Sequence, residues 1–110
     1  MSRRASHEAE RLLVIKSLVA AGDYHYSWKV REPMENGSFA TEDLEECIST
    51  ATTIRKIEQD EYGDATDGCK YTILGRDTQG VPFYTCGKII LSEEDERLYF
   101  FITAHDAERR

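Results

Sequence analysis

The sequence predicts an α+β domain in which N-terminal helices pack on a four-stranded antiparallel sheet. Two observations point there. Through the first half of the chain, apolar residues recur at helical spacing between good capping and stopping residues. From Cys69 onward come three runs rich in β-branched and aromatic residues, split by short polar breaks. That is the pattern of an antiparallel meander.

Residues 7–21 read as a helix, with Ser6 as N-cap, Glu8 and Glu10 near the positive end of the dipole, and Gly22 as the stop. Leu12, Ile15 and Val19 fall on one face, and Leu13, Val14 and Leu18 widen it. So broad a stripe needs a sheet or a second subunit to dock on. Residues 23–26 form a short extended connection. Ser27 can cap a helix running toward Asn36, which Pro33 should kink or end early, because proline lacks the amide donor and crowds the preceding turn. After the turn Asn36-Gly37-Ser38, Thr41 caps a helix over residues 42–51, with Leu44 and Ile48 inward.

Residues 54–59 read as the first strand, with Ile54 and Ile57 as its apolar members, and 60–68 as an acidic, glycine-bearing loop. The meander then takes residues 69–76, 81–91 and 98–103, ahead of Ala104-His105-Asp106. Its first hairpin turns at Asp77-Thr78-Gln79-Gly80, with Gly80 in the left-handed position of a bulged turn. A charged loop over 92–96 makes the second connection.

Size and composition set the class. A chain of 110 residues and 12.6 kDa is one domain, burying roughly two-thirds of its unfolded surface. Acidic residues number 21 against 14 basic, for a net charge of −7. Phosphate repels such a chain at long range, which counts against a dedicated nucleic-acid binder unless a local basic groove exists. The same acidity suits a basic partner. Cys47, Cys69 and Cys86 are odd in number and widely spaced, so free thiols in a reducing cytoplasm are expected. Met1-Ser2-Arg3-Arg4 opens no leader, and no apolar run nears the roughly 20 residues needed to span a bilayer.

The order of four short segments carries a family resemblance. They are Ser27-Trp28-Lys29-Val30-Arg31-Glu32-Pro33-Met34-Glu35, the helix start Thr41-Glu42-Asp43-Leu44, the hairpin from Leu74-Gly75-Arg76 to Gly80-Val81-Pro82, and Ile102-Thr103-Ala104-His105. Over residues 24–106, leaving residues 1–22 as an extra N-terminal helix, the chain resembles the bacterial family "domain of unknown function 4258". That family shares a Ser-x-His-Ala-x-x-Arg-Met segment, a helix opening with Thr or Ser and acids, a Gly-Arg-Pro hairpin and an Ile-Thr-x-Tyr ending. The resemblance implies a small fold of the RelE and BrnT toxin type, with helices on a twisted antiparallel sheet. It further implies RNA cleavage and an antitoxin or small zinc-finger regulatory protein as partner. The chain departs from the pattern at three places: Lys29 stands for the family's His, Pro33 for its Arg, and His105 for its closing Tyr.

A metal-free endoribonuclease needs a base for the 2′-hydroxyl, cations for the phosphorane and an acid for the leaving group. Lys29, Arg31, Arg76, Tyr84, Lys88 and His105 are the candidates, with Arg76 and His105 able to look onto one sheet face. Among them a histidine best suits proton transfer at neutral pH, its ordinary pKa being about 6.5. A lysine at its ordinary pKa of about 10.4 is a poor base. The plainer alternatives are a solvated turn arginine, an exposed helix face and a strand-end histidine. Paired metal ligands at close spacing are missing, as is any phosphate loop or nucleophile elbow, so neither metal nor cofactor is expected. Tyr71, Phe83, Tyr84, Tyr99, Phe100 and Phe101 place rings on both sheet faces, for core packing or for base stacking. Two functional classes follow: a toxin-type ribonuclease, or a non-catalytic module binding itself or a regulator.

Overall fold

The computed structural model of the protein describes residues 3–107, with side chains from His7 onward. Three helices, α1 (Arg3–Ala20), α2 (Trp28–Glu35) and α3 (Thr41–Thr50), accompany five strands: β1 (Tyr24–Tyr26), β2 (Ile54–Gln59), β3 (Cys69–Arg76), β4 (Pro82–Leu91) and β5 (Arg97–Asp106). The sheet runs β1-β5-β4-β3-β2 and is mixed. Its last four strands pair antiparallel as expected, but β1 joins the edge parallel to β5, Tyr24 beside Tyr99 and Tyr26 beside Phe101. The expectation of four antiparallel strands is thereby corrected. Three residues are too few to show a period, and what makes them a strand is β5's free edge, tied by Tyr99 N–H to Asp23 O at 3.0 Å and Ser27 N–H to Phe101 O at 2.9 Å. Among the described residues no helix is long and apolar enough to cross a membrane.

The helix ends also differ from expectation. α1 begins at Arg3, so Ser6 lies inside it and is not its cap. Its C-terminus closes at Gly22 as expected, through Gly22 N–H to Val19 O and Asp23 N–H to Leu18 O. Ser27 does precede α2, but its hydroxyl makes no cap bond and donates instead to Ile102 O at 2.6 Å. α2 passes through Pro33 and ends two residues later. Ala40, not Thr41, holds the N-cap position of α3, and the Asp43 carboxylate accepts the Ala40 N–H at 2.8 Å.

All three helices lie on one side of the sheet, and the core sits between. Leu12, Ile15 and Val19 of α1, Val30 of α2, and Leu44, Cys47 and Ile48 of α3 meet Tyr71, Ile73, Phe83, Ile89, Tyr99 and Phe101. Two glycines set the spacing. A Cβ on Gly75 would lie 1.9 Å from the Cys47 carbonyl oxygen, so α3 rests directly on β3 backbone. A Cβ on Gly87 would lie 2.5 Å from the Tyr99 ring, which fills that gap.

β5 carries a bulge. Gly87 pairs with Phe101 and Cys86 with Thr103, leaving Ile102 unpaired. Its carbonyl is the one that Ser27 satisfies. Since side chains alternate along a strand, one extra residue reverses the facing of everything beyond it. Tyr99 and Phe101 point to the helices, and after the bulge Ala104 takes that role while His105 turns out.

Candidate functional site

Among the described residues no helix lies over the sheet's other face. Thr72 and Leu74 of β3, Tyr84 and Cys86 of β4, and Phe100 of β5 stand half-buried there. Tyr84 and His105 are cross-strand partners, and their rings lie 5.6 Å apart at 32°. Arg76, two residues beyond Tyr84's partner Leu74, alternates onto the same face and the same end of the sheet. Its Nη1 donates to Gly80 O at 2.8 Å, which steadies the guanidinium over the hairpin turn. That turn has the expected form: Gly80 has φ +82°, and Asp77 N–H donates to Val81 O.

Three of the six candidates, Arg76, Tyr84 and His105, therefore share a surface. Lys88 stands farther along the same face, tied into an ion cluster. The other two sit on α2. Lys29 is exposed beside the exposed Trp28. Arg31 lies over the Tyr26 ring, 6.0 Å from its centroid, and borders a cleft on the helix side of the sheet. The end of β5 joins these two surfaces, because His105 also reaches the mouth of that cleft.

Charge is unevenly spread. On the open face Lys56, Lys70 and Arg76 outnumber Glu58, although the chain as a whole is acidic. By contrast α3 carries Glu42, Asp43, Glu45 and Glu46 and no cation at all. What excess of cations there is lies on the open side, where Lys56 already pairs with Glu58 at 3.8 Å.

Lys88 does not contribute free charge to it. Its ammonium, nearly buried, pairs with Asp64 and with Asp60 at 3.3 Å, and sits 5.0 Å from the centre of the Tyr62 ring. Burial alone would push the Asp60 carboxyl up. The amides of Ala65 and Tyr62 and the Lys88 ammonium more than reverse this and hold it below the ordinary carboxylate value. Burial would likewise lower Lys88, but Asp64 and Asp60 raise it. The ion cluster pins the 60–68 loop beside the open face. Only the residue types were visible in sequence; the register that brings Asp60 to Lys88 was not.

The cysteines are all free. Burial pushes the Cys47 thiol up to about 11, against the opposing effect of Thr85. Burial raises Cys86 too. Cys47 is a core residue, its Sγ 3.2 Å from Phe83 O, whereas Cys86 lies half-buried on the open face. Among the described residues no group of three or more His, Cys, Asp or Glu is placed to hold a metal ion. Comparison with protein-family models, with curated proteins and with solved structures finds no match to this chain.

Proposed function

We propose that the protein is a toxin-type endoribonuclease of a bacterial pair, binding single-stranded RNA across the open sheet face and cutting it without metal. One observation carries this reading. The bulge at Ile102 turns His105 out beside Tyr84, on the face that Arg76 shares. Bulges next to active sites commonly re-aim a side chain in this way.

In the reaction, the His105 imidazole takes the proton of a ribose 2′-hydroxyl, whose oxygen attacks the adjacent phosphorus. The bond from phosphorus to the 5′-oxygen breaks, leaving a 2′,3′-cyclic phosphate. Tyr84's hydroxyl gives a proton to the departing oxygen. Arg76 offsets the charge that grows on the phosphorane, with Lys70 along the strand behind it. Half-exposed Phe100 supplies a surface on which a base can stack. Lys29 and Arg31, on α2, then take no part in the cleavage.

A second reading, a non-catalytic interaction module, draws on the separation of α2's cations from the sheet-face group and on Arg76's bond to Gly80 O. Incubation of purified protein with cellular RNA separates the two. His105→Ala should slow cleavage at least about a hundredfold, the usual weight of a proton-transfer group, and Lys29→Ala should change it less than about threefold. Absence of cleavage by the wild-type chain, together with absence of growth arrest on its expression, would sink the ribonuclease reading.

A further inference from the structure

On the helix side, α2, the 36–40 loop, the start of α3 and the β3–β4 turn enclose a cleft of about 1190 Å³. This exceeds the roughly 300–1,000 Å³ typical of small-molecule pockets. Its floor is apolar. The Phe39 ring stands edge-on to Phe83 with centroids 5.2 Å apart, and Met34 and Val81 flank them half-exposed. Its rim is acidic: Glu35, Glu42, Asp43 and Asp77 face a single guanidinium, that of Arg31, which already lies over Tyr26.

The rim is built, not merely crowded. Asp43 accepts the Thr78 N–H at 2.9 Å and the Thr78 hydroxyl at 2.8 Å, which locks the turn to the start of α3. Asp77 accepts the amides of Gln79 and Val81, both at 2.9 Å, within the turn itself. The cleft walls are thus held by the same carboxylates that give the cleft its charge.

We propose that this cleft docks an extended peptide segment of another protein, one that alternates Lys or Arg with apolar side chains. Apolar side chains on the segment cover Phe39, Met34 and Val81, while its cations meet Glu35 and Glu42. Nucleic acid is repelled by the rim. A second copy of this chain is disfavoured as occupant by its net charge of −7. The cleft shares His105 with the RNA reading at its mouth, but none of its carboxylates takes part in that chemistry.

An NMR titration of the full chain tests it, with a synthetic peptide alternating Lys and Leu as probe and its Glu-for-Lys counterpart as control. Saturable shifts should centre on Met34, Phe39, Thr78 and Val81, with the Glu peptide silent. Removing both Glu35 and Glu42 as Gln should weaken binding roughly fivefold, the loss expected of two partly screened rim charges. The equal charge change Glu93→Gln/Glu94→Gln, far off in the 92–96 loop, should leave affinity unchanged. Equal losses in both double variants would overturn the proposal, as would no saturable binding, or shifts centred on the open sheet face. Peptide-free shifts of the cleft signals with protein concentration would assign the cleft to a second copy, and would overturn it as well.

Discussion

Phe100 and Phe101 are neighbours in sequence and belong to different surfaces. Phe101 is fully buried under the helices, with the Tyr99 ring edge-on at 5.0 Å and that of Tyr24 at 5.5 Å. Phe100 stands half-buried on the face that no helix covers. One face of the sheet is spent on stability, down to two glycines that leave no room for a methyl group. The other keeps aromatic rings, cations and a histidine within reach of solvent. Chemistry that needs accessible groups on a rigid support fits the second face.

The largest expected difference between the faces is one of stability. Phe101→Ala should cost about 3–5 kcal/mol in denaturant unfolding, as large-to-small changes in a packed core do. Phe100→Ala should cost less than about 1.5 kcal/mol, because its ring is already partly in water. Equal costs would mean that the open face is packed in solution, and would break the contrast.

Next comes the ion cluster of Lys88, Asp60 and Asp64 beside the open face. Lys88→Ala leaves Asp60 buried without its cation and should destabilise by about 3 kcal/mol at neutral pH. Asp60 is depressed in the folded chain, so the unfolded chain binds more protons in the carboxylate range. Its stabilising contribution is complete above the ordinary value of 3.8 and is lost as pH falls through the lower folded value. The gap between wild type and Lys88→Ala should therefore narrow below about pH 4. Lys88 works in the opposite sense, and its contribution fades only as pH rises through its raised value. Unfolding curves that run parallel across the acid range would contradict this assignment.

The smallest effect concerns the core itself. Tyr99's hydroxyl is buried and is the one buried side-chain polar atom, among the described residues, without a hydrogen-bond partner. Tyr99→Phe should thus leave stability unchanged or raise it by about 1 kcal/mol. A loss of similar size would reveal a partner for that hydroxyl.

Much of the scaffold was legible in sequence because it rests on period and turn chemistry. The meander's strands, the left-handed Gly80 and the inward Leu44 and Ile48 all follow from such local rules. What escaped were features set by distant partners. The parallel strand β1 exists because β5 offers an edge. Ser27 left its cap role because the Ile102 carbonyl needed a donor. That Arg76 and His105 could share a face was among the sequence expectations, but what realises it is a bulge that no local pattern announces; strict alternation with Tyr99 and Phe101 would have sent His105 into the core. Sequence thus supplied the candidates, and the bulge decided which of them share a face.

Whether the open face is the working surface is tested most directly by mapping a short single-stranded RNA onto the chain by NMR, with a non-cleavable 2′-O-methyl strand as probe. Saturable shifts are expected at Lys70, Thr72, Tyr84, Phe100 and His105, reduced by His105→Ala in a variant that stays folded. Shifts confined to Met34, Phe39 and the acidic face of α3, or none at all, would contradict it.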